Sequence, residues 1–129
     1  MSETAKRKVL IADDEPNIVV SLEYLMKREG HEVLVARDGD EALALARSAQ
    51  PALVLLDVMM PHKTGFEVCQ AVRADEALQG TKILMLTAKG RETDVAKGVA
   101  LGANAYMTKP FSTRELVQKV AELLGETSA

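Results

Sequence analysis

Leu53-Val54-Leu55-Leu56 is an apolar run with no polar residue at every second position. A strand that faces water on one side alternates, so an unbroken run describes a strand covered on both faces. That pattern belongs to parallel sheets layered between helices. The run stops at a carboxylate, Asp57, and the chain continues as Val58-Met59-Met60-Pro61. Ligands of open parallel sheets bind outside the carboxyl ends of the strands. Asp57 therefore stands where such a sheet presents its chemistry.

The rest of the chain repeats the theme. Val9-Leu10-Ile11-Ala12 ends in Asp13-Asp14-Glu15-Pro16, where acids and a proline are expected to start a helix running to about Glu29, with Gly30 closing it. Ile18, Leu22, Leu25 and Met26 share one face of that helix. A strand over Glu32–Ala36 follows. Asp38-Gly39-Asp40-Glu41, Thr64-Gly65-Phe66-Glu67 and Ser112-Thr113-Arg114-Glu115 carry the cap-x-x-Glu spacing of helix starts. The second of these helices sets Phe66, Cys69 and Val72 at core spacing, and the last sets Leu116, Val117, Val120, Leu123 and Leu124. Residues 75–80 read as a loop, and Ile83-Leu84-Met85-Leu86 is another continuous strand, ending at Thr87-Ala88. Glu92–Leu101 reads as a weak helix, since Gly98 in its interior costs about 1 kcal/mol relative to Ala. A short strand over Asn104–Met107 runs into Thr108-Lys109-Pro110-Phe111. Five strands alternating with five helices predict a doubly wound α/β domain with a parallel sheet. The pattern leaves the strand order open.

With 129 residues the chain fits one domain, its core spanning about 8–125 with short frayed ends. A net charge of −3 gives no reason to expect nucleic acid as a partner. No apolar run approaches the roughly 20 residues of a membrane span, and the first residues do not begin a signal peptide. The single Cys69 excludes an internal disulfide and fits the cytoplasm. The chain stops soon after the last helix, so no output domain is expected: it is a stand-alone regulator or an excised part of a longer one.

Asp13, Asp14, Asp57, Thr87 and Lys109 all fall at the carboxyl edge of this frame. Each has a plain reading: helix caps for Asp13 and Asp14, an acceptor of loop amides for Asp57, a strand or cap residue for Thr87, a solvated charge for Lys109. Tyr106 reads as packing. Electrostatics weighs against five coincidences. Close carboxylates repel by about 4 kcal/mol per pair at an effective dielectric near 20, and a cluster of them calls for a cation. Hard oxygen ligands suit Mg²⁺. A metal, a lysine and a hydroxyl together are what a transferring phosphoryl group requires, and a carboxylate is an acceptor that stays unprotonated at neutral pH.

Asp13-Asp14, Asp57-x-x-Met60-Pro61-x-x-x-Gly65, Thr87-Ala88 and Lys109-Pro110-Phe111 resemble the receiver domain of bacterial two-component response regulators, of the single-domain kind that serves chemotaxis. The resemblance covers nearly the whole chain and implies the flavodoxin-like strand order 2-1-3-4-5. It implies that Asp57 accepts a phosphoryl group from a histidine kinase phosphohistidine. Asp13, Asp14, Asp57 and the backbone carbonyl of Met59 would hold Mg²⁺, while Thr87 and Lys109 bind the phosphoryl oxygens. Tyr106 is the implied switch aromatic that turns inward with Thr87, and the Lys109–Pro110 bond is implied to be cis. Met59 and Lys89 take the positions that tune dephosphorylation. Thr64 departs from the pattern, standing where many relatives have an acid.

The expected mechanism is a two-state switch. Phosphorylation draws Thr87 toward the new oxygens, Tyr106 fills the space vacated, and the face of the fourth helix, fifth strand and fifth helix responds. A protein target would bind that face, with the domain a monomer or a phosphorylation-dependent dimer. Val20 and Tyr24 form an outward apolar pair on the first helix. Covering by the last helix is the expected reading, with docking of a kinase, Phe111 nearby, as the alternative. Two other classes compete. A dehalogenase-type phosphatase wants an acid two residues after its nucleophile, where this chain has Met59. A flavodoxin-like electron carrier wants a phosphate cradle where this chain has Asp13-Asp14-Glu15-Pro16.

Overall fold

Apolar runs that bury both faces form the middle of a parallel sheet. The structure, a computed structural model, describes residues 7–88 and 92–125. Its strands are β1 (Lys8–Ala12), β2 (Glu32–Ala36), β3 (Leu53–Asp57), β4 (Lys82–Ala88) and β5 (Ala105–Lys109). They form one sheet in the order β2-β1-β3-β4-β5, parallel throughout, the flavodoxin-like order that the resemblance implied. The helices are α1 (Pro16–Arg28), α2 (Gly39–Ala49), α3 (Gly65–Ala74), α4 (Glu92–Ala100) and α5 (Thr113–Leu123).

The continuous runs hide a strict division. Val9, Ile11, Leu53, Leu55, Leu84 and Leu86 pack with α1 and α5, against Leu22, Met26, Leu116 and Val120. Their neighbours Leu10, Ala12, Val54, Leu56, Ile83 and Met85 pack on the opposite face, with Ala42, Ala46, Val68, Cys69 and Val72 of α2 and α3. Every residue of β3 is buried, which is why its sequence shows no period of two. β2 and β5 lie at the edges and are only partly covered.

Local chemistry sets where the helices start. Thr64 and Glu67 complete a reciprocal capping box at α3, and the Ser112 hydroxyl accepts from the Glu115 N–H at α5. At α2 the Asp38 carboxylate accepts from the Glu41 N–H, but Glu41 reaches one residue further back than the box requires, to the Arg37 N–H at 2.8 Å. Pro16 opens α1 as expected, yet its preceding acids do not cap it: Glu15 sits at the cap position without a side-chain bond.

Three expectations need correcting. Residues 75–80 are not plain loop, because Asp75 caps a single 3₁₀ turn over Glu76–Leu78 that buries Leu78. Val19 and Val68 enter the core ahead of Ile18 and Phe66, which are only partly buried, since the helices are rotated slightly from the assumed face. The pair on α1 is not covered by α5: Val20 is 66% and Tyr24 63% exposed.

Candidate functional site

The carboxyl ends of β1, β3, β4 and β5 bring the expected residues together. In register, Ala12 sits beside Leu56 and Asp57 beside Leu86, so Asp13, Asp57 and Thr87 stand on neighbouring strand tips. Asp13 is fully buried and Asp14, the next residue, points to solvent. Carboxylate oxygens of Asp13, Asp14 and Asp57 lie within 4.8 Å of one another. Asp13 also accepts from the Glu15 N–H at 2.9 Å, which fixes the turn into α1 from inside the pocket.

Lys109, the last residue of β5, reaches across the edge. Its Nζ donates to Asp13 Oδ2 at 2.8 Å and lies 3.3 Å from Asp57 Oδ1. The Lys109–Pro110 peptide is cis. Burial, reinforced by the charge of Asp13, pushes Asp57 up to about 6, against the opposing pull of Lys109 and the Met59 N–H. Burial opposes the Lys109 ammonium, but its bond to Asp13 and the charges of Asp57 and Asp13 outweigh it and raise that pKa. One ammonium among three carboxylates leaves negative charge uncompensated.

Thr87 is buried, and its Oγ1 has no hydrogen-bond partner among the described residues. A cavity of about 310 Å³ opens between Asp57 and Ala88, with Asp14, Met59 and Lys109 in its walls. An all-oxygen donor set, surplus negative charge and room beside it fit a hard divalent cation. The glycine of the motif has a steric cause. Gly65 N–H donates to the Val58 carbonyl at 2.8 Å, and a Cβ there would run into the carbonyl of Asp57.

Tyr106 is not turned inward in this structure. It is 47% exposed and borders a shallow groove of about 500 Å³ between β5 and α5, near Pro110 and Lys119. Lys89 lies outside the described residues. Two acids that the sequence did not single out also line the cavity, Glu15 and Asp94. For Asp94 a signal existed: it lies one turn before Gly98 on the same face of α4.

An acidic notch with a lysine and a buried hydroxyl, at the carboxyl edge of this doubly wound sheet, defines a phosphoacceptor signalling domain of the two-component type. The chain belongs to the response regulator receiver domain family, which it matches over residues 9–121. It is 47% identical over 118 residues to the alkaline phosphatase synthesis transcriptional regulatory protein PhoP of Bacillus subtilis, covering 92% of this chain and 48% of that protein. The chain thus spans about half the length of that relative. Among solved structures, the chemotaxis response regulator CheY4 of Vibrio cholerae is 36% identical with a TM-score of 0.87, covering 92% of this chain and 99% of that one. A receiver domain of a sensor histidine kinase from Pseudomonas aeruginosa, 26% identical with a TM-score of 0.86, covers 95% and 100% and holds a magnesium ion in its active site cleft. Receiver domains bind magnesium in the acidic pocket, and they signal rather than turn over a metabolite. Neither the phosphatase nor the electron-carrier alternative is favoured. Among the described residues no helix is long and apolar enough to cross a membrane.

Proposed function

We propose that this domain takes a phosphoryl group onto Asp57 from the phosphohistidine of a histidine kinase or phosphotransfer protein. A carboxylate oxygen attacks phosphorus while the bond to the imidazole nitrogen breaks, leaving an acyl phosphate here and histidine on the donor. Asp13, Asp14, Asp57 and the Met59 carbonyl would hold Mg²⁺, which when bound supplies positive charge against the phosphoryl oxygens. Lys109 is held by its two carboxylate partners with its ammonium at the acceptor. Thr87 donates its hydroxyl to a phosphoryl oxygen. The observation that carries the reading is that hydroxyl. A buried polar group without a partner costs about 1–3 kcal/mol, and an incoming oxyanion relieves it.

Once Thr87 is drawn to the phosphoryl group, Tyr106 leaves solvent for the space behind it, and the surface of α4, β5 and α5 changes for a protein target. The exposed Val20 and Tyr24, with Phe111 partly buried on the same side of the sheet, support docking of the donor on α1. Residues 1–129 form one receiver unit, acting in the cytoplasm as a monomer or a phosphorylation-dependent dimer. A buried, unbridged Cys69 is consistent with that compartment.

Incubation with acetyl phosphate and Mg²⁺, followed by intact mass, tests the acceptor. The wild type gains one phosphoryl group and Asp57→Asn gains none; a wild type without mass gain overturns the reading. The docking surface is tested separately. Val20→Ser/Tyr24→Ser slows transfer from a phosphorylated kinase at least tenfold, about 1.4 kcal/mol, while acetyl phosphate still labels it at the wild-type rate.

A further inference from the structure

Helices that cover a sheet are normally seated by aliphatic side chains. α4 is not. Of its described side-chain positions only Asp94 and Gly98 are buried, four residues apart and therefore on one face. Gly98 lies against Met85 of β4, where a Cβ would come within 3.4 Å of Met85 Cγ, so it contributes close approach without an anchor of its own. Asp94, one turn nearer the carboxyl edge, is 8% exposed and lines the same cavity as Asp57, Ala88 and Lys109. It stands outside the trio of carboxylates gathered for a cation. As the third residue of α4 it suits the positive end of the helix dipole, and it is held by an interaction of its own.

We propose that Asp94 is a positioning residue through which charge in the acceptor pocket sets the seating of α4. The inference rests on the reading that Asp57 is phosphorylated. An acyl phosphate brings more negative charge into the pocket than the carboxylate it replaces. The like charge of Asp94 lines the same cavity, and the first turn of α4 has only the half-buried Val95 as an aliphatic anchor against that repulsion. Phosphorylation therefore loosens α4 directly, by a route separate from Thr87 and Tyr106. By reciprocity a partner that holds α4 down opposes phosphorylation of Asp57.

Amide exchange over residues 92–98, measured with and without acetyl phosphate and Mg²⁺, tests this, with intact mass read on the same samples. The wild type exchanges several-fold faster in α4 once phosphorylated. Asp94→Asn takes up the phosphoryl group, yet its α4 exchange stays unchanged, while amides of β5 respond as in the wild type. Asp94→Glu, which keeps the charge, recovers the α4 response, whereas a merely structural role for Asp94 would let Asn behave as Glu does. An equal α4 response in wild type and Asp94→Asn overturns the inference while leaving the acceptor reading intact. Absence of mass gain in the wild type overturns both.

Discussion

Asp57 is the residue on which burial and charge act most plainly. Its carboxyl is raised from 3.8 to about 6, so the folded state holds a proton more firmly than the unfolded chain. Stability from that proton is complete below about pH 4 and is lost as pH rises through about 6. In metal-free protein Asp57→Asn should accordingly match the wild type near pH 4. By pH 7 it should exceed it by on the order of 2 kcal/mol, read by urea unfolding with a chelator present. A variant no more stable than wild type at pH 7 would contradict this. The same proton competes with Mg²⁺, so magnesium affinity should fall as pH drops below about 6. Thr87 behaves oppositely to an ordinary core hydroxyl: Thr87→Ala should leave the unmodified fold as stable, or up to about 1 kcal/mol more so, while slowing phosphoryl uptake. Asp57 and Thr87 were legible in the sequence because each ends an unbroken apolar run, and Lys109 because it follows the fifth strand. Asp94 showed only in its four-residue spacing from Gly98, since its place depends on how α4 rests against β4.

The elements themselves were legible for a related reason. Unbroken apolar runs mark strands that are covered twice, and Thr64, Asp38 and Ser112 mark helix starts by local hydrogen bonding. What escaped the sequence was rotation. Whether Ile18 or Val19 points inward is a matter of some tens of degrees, fixed by how α1 settles on β1 and β2. The covering of Val20 and Tyr24 depended on where α5 lies, which no local pattern encodes. The turn from β3 into α3 is a tight junction. Gly65→Ala would drive its methyl into the Asp57 carbonyl, and should cost about 2 kcal/mol or more in unfolding experiments. Its phosphorylation rate should drop as well, because the collision displaces the acceptor itself.

Across the whole molecule, chemistry and bracing occupy opposite rims of the sheet. The carboxyl rim carries the acids and Lys109. Near the amino ends of β4 and β5, Arg73 donates to the Gly102 carbonyl at 2.9 Å, to Asn104 Oδ1 at 2.7 Å and to the Leu78 carbonyl at 3.4 Å. Asn104 Oδ1 in turn accepts from the Ile83 N–H at 2.7 Å. Arg73→Ala should thus destabilise the fold by about 2 kcal/mol yet leave the initial rate of labelling by acetyl phosphate unchanged. Loss of both together would mean that the two rims are mechanically linked. Strand order was not legible in residue spacing, because any ordering of the covered strands β1, β3 and β4 satisfies the hydropathy.

Gly65 pressed against the peptide of Asp57 has one more consequence. The acceptor's backbone cannot retreat without displacing the start of α3, and α3 is bolted to the core through Val68, Cys69 and Val72. Asp57 is therefore the anvil of this device. Whatever travels when the phosphoryl group lands must be the facing jaw, at the end of β4 and the beginning of α4.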